Sequence, residues 1–358
     1  MSVDALIGRS TNRKLKNVLI LTMSAVAILV FAWLTEHPLR PPVFGATEKW
    51  ISLPEFAETW VSGGDLIFCA GNYQVGAVDE TGQLLWQRDT VWKSPEIRTF
   101  GDAALIYEPG GDMLILANRD GGNQISVPQG VDSAAPGPGE TLAVITAGSG
   151  YLTETKCLDS TGAVLSSRGY LDRAETMLLF LENGALVSGA IQSDGTWLLR
   201  GEGPDILWER PVSEGPILDL RLWKDGFVLW TPASICFFRG DGTLVSQAPL
   251  DCDRVFVWDC DDDLAAVLAE QAGSRFLILA APSGQVYQTE PISGDPHDLT
   301  ISAGYPCVLD REAMLVYDET GRLRETVSAG ACASRIESLG GAVLLIGNGR
   351  MLRHYIMN

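Results

Sequence analysis

The sequence predicts an all-β fold, an eight-bladed β-propeller, preceded by one N-terminal transmembrane helix. A short turn signal that ends in glycine recurs seven times, and successive glycines are 40, 40, 41, 39, 42 and 37 residues apart. Each unit also holds short apolar runs of strand length, and four such runs per roughly 40 residues are typical of a propeller blade. An uncharged apolar run near the N-terminus supplies the one predicted helix.

The first element is the apolar run from Val18 to Leu34, which contains no charged residue. We assign the transmembrane helix to residues 17–34, a length at the short end for a membrane-spanning helix. Four basic residues precede the run and only Arg40 follows it closely, so residues 1–16 are expected to form a cytoplasmic tail. A cleaved signal peptide is the alternative.

Residues 35–45 are predicted to form a linker, stiffened by prolines, to an extracytoplasmic domain at residues 46–358. The expected location is therefore the cell membrane, with a single span and the propeller outside the cell. The net charge of −19 argues against nucleic acid as a partner, because phosphate binding needs a basic surface. The chain has three histidines, which argues against a histidine-based metal or relay site.

The recurring turns predict β-hairpins. Their glycines suit the left-handed backbone that other residues resist, and an aspartate ahead of the glycine can accept hydrogen bonds from the turn amides. Short β-type runs lie on both sides of each turn. The seven turns are Asp79–Gly82, Arg119–Gly122, Asp159–Gly162, Gly201–Gly203, Gly240–Gly242, Pro282–Gly284 and Asp318–Gly321.

The end of the chain indicates how the ring closes. Three predicted strands, Arg335–Leu339, Ala342–Ile346 and Met351–Ile356, follow the seventh turn without a fourth. The segment Lys49–Leu53, ahead of the first full unit, can supply the missing strand and remove an exposed sheet edge. This count predicts eight blades, with seven as the alternative. Because no amphipathic helix longer than about ten residues follows Leu34, α/β layouts are excluded.

The first unit carries Ala77, Asp79, Thr81, Gly82 and Trp86. This pattern resembles the tryptophan-docking repeat of PQQ-like (quinoprotein-like) β-propellers, and residues 46–358 as a whole look like this class. The chain also resembles uncharacterised single-pass propellers of Gram-positive bacteria. The resemblance implies a scaffold more than an enzyme, because the docking tryptophan recurs only at Trp208. The other positions hold Leu165, Ser246, Gln288 and Glu325.

No cofactor is expected. The quinone-dependent enzymes that this class includes share a pair of adjacent cysteines. None of the seven cysteines in this sequence is adjacent to another. No C-x-x-C spacing supports a zinc site. Most of the cysteines stand singly in apolar strands, so we expect buried, unpaired thiols.

Two acidic clusters carry alternative interpretations. The run Asp259–Asp263 is predicted to lie in a tight loop, where it is either a solvated turn or a calcium ligand set. The sequence Asp295-Pro-His297-Asp298 lies between two units. It is either a surface turn or a site in which the histidine, beside carboxylates, acts as a general base. No partner nucleophile is evident for that histidine.

A candidate binding face is predicted where the loops between blades converge around the central channel. Exposed aromatic and arginine side chains commonly anchor protein interfaces, although ordinary packing between blades is the alternative for the aromatic residues. The candidate residues are Trp92, Lys93, Arg98, Tyr170, Arg173, Asp251, Asp253, Asp295 and His297.

These observations favour a membrane-anchored, extracytoplasmic propeller that binds an extracytoplasmic or membrane protein as a scaffold. The alternatives are an extracellular polysaccharide-active enzyme and a ligand sensor. No catalytic, cofactor-binding or metal-ligating residue is assigned, and the oligomeric state stays open. A deep polar channel with clustered carboxylates would favour an enzyme, whereas a plugged apolar channel with an exposed aromatic rim would favour a scaffold.

Overall fold

The computed structural model describes residues 49–148, 150–203, 207–329, 333–347 and 351–356. These residues form 32 strands, paired into eight antiparallel sheets of four strands each, and their one helical segment is a 3-10 turn. The prediction of eight blades is confirmed and the seven-bladed alternative is wrong. The predicted tail, transmembrane helix and linker lie outside the described residues. Within the described part, no helix is long and apolar enough to cross a membrane.

Each blade is one sheet whose strands follow one another from the central channel to the rim. Blade 1 contains β2 (Thr59–Gly63), β3 (Leu66–Gly71), β4 (Gln74–Asp79) and β5 (Leu84–Asp89). Blade 2 contains β6 (Glu96–Phe100), β7 (Ala103–Tyr107), β8 (Met113–Asn118) and β9 (Gly121–Ser126). Blade 3 contains β10 (Ser133–Pro136), β11 (Leu142–Thr146), β12 (Thr153–Leu158) and β13 (Val164–Tyr170), with the 3-10 turn Pro138–Glu140 after β10. Blade 4 contains β14 (Arg173–Phe180), β15 (Leu186–Gln192), β16 (Trp197–Glu202) and β17 (Leu207–Val212).

The second half of the ring repeats this order. Blade 5 contains β18 (Asp219–Trp223), β19 (Gly226–Thr231), β20 (Ser234–Arg239) and β21 (Leu244–Pro249). Blade 6 contains β22 (Arg254–Cys260), β23 (Ala265–Gln271), β24 (Ser274–Ala280) and β25 (Val286–Gln288). Blade 7 contains β26 (Asp298–Ser302), β27 (Tyr305–Leu309), β28 (Ala313–Tyr317) and β29 (Leu323–Ser328). Blade 8 contains β30 (Ala333–Leu339), β31 (Ala342–Gly347), β32 (Met351–Ile356) and, at its rim, β1 (Lys49–Ser52).

Three outer hairpins form as predicted, through hydrogen bonds from the turn to an aspartate. The Asp79 carboxylate accepts hydrogen bonds from the Thr81 amide at 2.8 Å, the Thr81 hydroxyl at 2.6 Å and the Gln83 amide at 2.9 Å. Gly82 completes the turn with a φ of 82°, a left-handed conformation that favours glycine. The same turn recurs at Asp159 and Asp318.

The ring closes through both ends of the domain. Strand β1 pairs antiparallel with β32, so that Ile51 stands opposite Leu352. The side chain of Ile51 is fully buried and packs against the Gly82 turn of blade 1. The predicted closing strand is thus confirmed, and it ends at Ser52. Strand β1 thus covers the edge of β32 that would otherwise be unpaired at the rim.

The propeller has two faces, which we name by their loops. The connection face carries the link from each rim strand to the next blade and the turn between the second and third strands. In blade 1 these two loops meet where the Thr90 amide donates to the Tyr73 carbonyl at 2.6 Å. The turn face carries the other turns, including Asp79–Gly82. Strand β1 begins at Lys49 on the turn face, so the upstream chain joins the propeller there.

Tryptophans on rim strands join adjacent blades at two boundaries of the described part of the ring. Trp86 stands opposite Ala77 in blade 1 and donates its indole N–H to the Asn118 carbonyl of blade 2 at 2.8 Å. Trp208 of blade 4 donates in the same way to the Gly240 carbonyl of blade 5 at 3.0 Å. We call this position of the rim strand the docking slot.

The strand register corrects the predicted docking slot in two blades. In blade 3, Leu165 is the unpaired residue of a β-bulge, and Ser166 occupies the slot opposite Cys157. In blade 6 the hairpin is regular, so the slot residue is Tyr287 rather than Gln288. Three further slots hold Gly122, Ser246 and Glu325.

The described cysteines are unpaired thiols. Cys69, Cys236 and Cys307 are buried in strands and pack as small apolar side chains. Cys157, Cys252 and Cys260 are partly buried. Cys332 lies outside the described residues.

Candidate binding face and central channel

A channel of about 630 Å³ runs between the first strands of all eight blades. Apolar residues such as Ile97, Ala135 and Leu178 line it on blades 2 to 4. On blades 5 to 8 the lining includes charged residues. They are Asp219, Arg221, Asp259, Asp298, Arg335 and Glu337, with Arg98 facing them from blade 2. The two halves of the channel therefore differ in polarity.

Four of these residues form a carboxylate series, because one acidic residue stands on the first strand of each blade from 5 to 8. Asp219, Asp259, Asp298 and Glu337 follow one another at intervals of 40, 39 and 39 residues. Sequence analysis singled out Asp259 and Asp298 for other reasons and missed Asp219 and Glu337. The acidic spacing, which equals the spacing of the hairpin turns, was the signal that could have identified them.

Each carboxylate of the series accepts a hydrogen bond from the next blade. Asp259 receives the Ile301 amide at 2.8 Å and the Thr300 hydroxyl at 3.0 Å. Asp298 receives the Ile336 amide at 3.0 Å. The two ends of the series complete the pattern, with the Trp258 indole donating to Asp219 at 3.1 Å and the Ser62 hydroxyl donating to Glu337 at 3.3 Å.

Arg221 neutralises part of this charge. Its guanidinium nitrogens lie 2.5 Å from the Asp259 carboxylate and 3.2 Å from that of Asp219. The guanidinium also lies over the Trp258 ring, with its carbon 4.5 Å from the ring centroid. These contacts fix Arg221 in place.

Glu337 has the most perturbed carboxyl of the channel. Its pKa is raised to about 7, mainly by burial and also by the charges of Asp259 and Asp298, while Arg335 at 3.4 Å acts against this rise. Burial also raises the pKa of Asp298. The channel therefore holds one carboxyl, that of Glu337, which is partly protonated near neutral pH and can donate or accept a proton.

The Asp259–Asp263 run divides between the channel and a turn. Asp261 accepts the amides of Asp263 and Leu264, both at 2.9 Å, which closes the loop between β22 and β23. Asp263 pairs with the Lys224 ammonium group at 3.1 Å. These partners support the solvated-turn interpretation. Among the described residues, no group of three or more histidine, cysteine or acidic side chains is arranged to hold a metal ion.

The Asp295–Asp298 segment also has structural partners. The Asp295 carboxylate lies 2.5 Å from Arg275 and 2.8 Å from Arg311, and the hydrogen bonds from Arg311 and Arg275 lower its pKa. The His297 ring hydrogen-bonds through Nδ1 to the backbone carbonyl of Asp295, 3.0 Å away. Among the described residues the ring forms no hydrogen bond or ion pair with a carboxylate, although its charge lowers the pKa of Asp298, and the role of a general base stays a prediction.

Two of the nine candidate residues, Trp92 and Tyr170, are not exposed anchors. Trp92 is 3% exposed and packs in the core between blades 1 and 2, because its ring fills the space under the connecting loop. Tyr170 is 7% exposed and lies between Arg173 and Arg200, whose guanidinium carbons are 5.3 and 5.4 Å from its ring centroid. For both aromatics the alternative of packing between blades is correct.

The other candidate residues are spread over the connection face and the channel. Lys93, Asp251 and Asp253 are exposed in connecting loops. Arg98 projects into the channel from β6, so it belongs to the lining rather than to a loop. Arg173 is tied down by Glu209, whose carboxylate lies 2.8 Å from its guanidinium. The nine residues therefore do not form one contiguous patch.

A different set of side chains is exposed on the connection face. It consists of large apolar residues in loops of blades 1 and 3 and in the links that follow blades 1, 3 and 4. Sequence analysis missed them because they flank the chosen residues or lie in turns between second and third strands. We call them the apolar rim: Tyr73, Val91, Tyr151, Leu152, Leu171 and Leu218.

Comparison with known proteins identifies the fold. No protein-family model matches the sequence, and no curated protein matches it. BamB from Moraxella catarrhalis superposes with a TM-score of 0.58 at 12% identity, covering 88% of this chain and 100% of that chain. Apo AztD from Citrobacter koseri gives 0.55 at 12% identity, covering 75% and 85%. The Dos1 propeller gives 0.59 at 9% identity, covering 86% and 94%. The chain is similar to β-propellers in fold.

Proposed function

We propose that this protein is a membrane-anchored, extracytoplasmic β-propeller that binds a protein partner through its connection face and acts as a scaffold. The anchor is the predicted helix at residues 17–34. The architecture follows that of the single-pass propellers of Gram-positive bacteria that the sequence resembles. Structural similarity to BamB and to other propellers supports the fold on which the proposal rests.

The apolar rim is the observation that carries the proposal. Val91 and Leu171 are 72% and 71% exposed, although the removal of an apolar side chain from water is favourable. Tyr151 lies with its ring against Gly169, which supports a large flat side chain at the surface. At blade 3 the Leu152 amide donates to the carbonyl of Tyr170 at 2.8 Å, so Leu152 lies beside Leu171, and neighbouring exposed apolar residues mark sites of protein association.

In the described part of the chain, the exposed large apolar residues outside the apolar rim are Trp50 on β1 and a set of aliphatic residues spread around the ring. The other exposed aliphatic residues, such as Leu84 and Leu323, mostly begin rim strands and stand one or two to a blade. Single apolar residues of this kind are normal on protein surfaces.

Leucine-to-glutamate variants test the proposal in the native cell. Leu171→Glu places a charge in the apolar rim, and Leu207→Glu is the matched control because Leu207 is 70% exposed on the rim strand of blade 4. Proximity labelling from the full-length chain should lose its principal protein neighbours with Leu171→Glu and keep them with Leu207→Glu. Identical neighbours for both variants and the parent protein would refute a role of the apolar rim.

A polysaccharide-active enzyme is the second candidate, and the channel favours it. The channel is polar and holds clustered carboxylates, including Glu337 with its pKa of about 7. Its carboxylates are, however, already engaged in hydrogen bonds between blades, which explains their presence without catalysis. Release of reducing ends from polymeric glycans by the parent protein, abolished by Glu337→Gln, would establish this alternative.

A further inference from the structure

A side cavity of about 310 Å³ lies between blades 3 and 4 and shares no lining residue with the channel or the apolar rim. Its walls come from β12 and β13 of blade 3 and from β14, β15 and the end of β16 in blade 4. This volume is at the lower end of the range for small-molecule sites, about 300 to 1,000 Å³. Neither function discussed above uses it.

The cavity coincides with an unfilled docking slot. At the corresponding position Trp86 and Trp208 reach the turn of the next blade. In blade 3 the slot residue is Ser166, and both Ser166 and the neighbouring Gly203 of blade 4 line the cavity. The space therefore exists because a small polar residue replaces an indole.

A buried carboxylate faces this space. Glu175 is 4% exposed, and its carboxylate accepts hydrogen bonds from the hydroxyls of Ser188, at 2.9 Å, and Thr155. None of the ion pairs found among the described residues involves Glu175. The nearby Arg173 pairs directly with Asp172 and Glu209. Burial raises the pKa of Glu175, and the hydrogen bonds from Thr155, Ser188 and Tyr170 and the charge of Arg173 act against this rise.

The charges of the lining favour a cation. Only Glu175, Arg168 and Glu202 are charged among the lining residues, and Arg168 pairs with Glu202 at 2.6 Å. Glu175 thus makes no direct ion pair with a described residue, and a cation in the cavity would form a charge-assisted hydrogen bond, which is stronger in such a site than in water. Phe180 and Leu186 provide an apolar wall for an attached alkyl chain.

We propose that this cavity binds a small primary alkylammonium compound, whose ammonium group pairs with Glu175 and whose alkyl chain packs against Phe180 and Leu186. The hydroxyls of Thr155, Ser188 and Ser166 surround the ammonium site. The inference is independent of the scaffold function, because the cavity and the apolar rim share no residue.

Calorimetry on the purified full-length chain tests the proposal, with n-butylammonium as the probe and n-butanol as its uncharged analogue. The parent protein should bind the ammonium compound and not the alcohol. Glu175→Gln should weaken binding at least ~10-fold, since it removes the charge while it keeps the size of the side chain. Ser166→Trp should abolish binding, because the indole fills the slot.

Ser246→Trp is the matched control, as it places the same side chain in the docking slot of blade 5. It should bind the ammonium compound like the parent protein. Absence of saturable binding by the parent protein, equal binding of the alcohol, or unchanged binding by Glu175→Gln would each overturn the proposal. If one variant does not fold, as judged by circular dichroism, the other still decides the outcome.

Discussion

Replacement of Trp208 measures how much a docking tryptophan contributes to the ring. Its indole donates to the Gly240 carbonyl at 3.0 Å and stacks on Phe227, with 6.0 Å between ring centroids and an interplanar angle of 3°. Truncation of a fully buried tryptophan to alanine costs about 3 to 5 kcal/mol. Because Trp208 is only partly buried, we expect Trp208→Ala to lower the free energy of unfolding by about 2 to 3 kcal/mol.

A second variant separates the hydrogen bond from the packing. Trp208→Phe keeps an aromatic ring above Phe227 but removes the indole N–H, so it should cost about 1 kcal/mol. Ser246→Ala at the docking slot of blade 5 is the control and should stay within about 0.5 kcal/mol of the parent protein.

Equilibrium urea unfolding, followed by circular dichroism, provides the free energies. A loss below about 1 kcal/mol for Trp208→Ala would refute the view that docking holds blades 4 and 5 together. A loss of equal size in Trp208→Phe and Trp208→Ala would refute the separation of packing from hydrogen bonding.

Three further predictions follow from the channel and the closure. The pKa of Glu337 is raised from 4.5 to about 7 in the fold, so stability should fall as pH rises through this window. Glu337→Gln should remove that slope in urea midpoints between pH 5 and pH 8, and an unchanged slope would contradict the assignment. Asp298→Ala leaves the Ile336 amide without its acceptor and should cost about 2 kcal/mol, most of it restored by Asp298→Asn, whereas equal losses would argue against that hydrogen bond. Ile51→Ala should cost about 2 to 4 kcal/mol and speed hydrogen exchange in β32, and protection equal to that of the parent protein would show that Ile51 does not secure the closure.

The sequence was sufficient for the architecture because the architecture repeats. Turns such as Asp79–Gly82 and Asp318–Gly321 contain their own hydrogen-bonding partners, so a local pattern fixes each hairpin. The closing strand at Lys49 was predictable since three strands at the C-terminus need a fourth. These inferences depend on chain order and not on the direction of a side chain.

Side-chain direction is where the sequence was insufficient. Whether Leu165 or Ser166 occupies the docking slot depends on a β-bulge, and bulges leave no clear sequence signal. Trp92 and Tyr170 lie next to exposed aliphatic residues, yet their own rings point inward, where packing buries more apolar area. The cavity beside Glu175 was equally hidden, because it forms between residues of two blades.

The pairing of β1 with β32 sets the order of events during synthesis. About 300 residues separate Ile51 from Leu352, so the ribosome releases almost the whole domain before its first strand can pair with β32. Contacts between residues so far apart in the sequence slow folding. Until β32 is made, the unpaired β1 can associate with other polypeptides. Loss of β32 would therefore leave the same sheet incomplete as loss of β1.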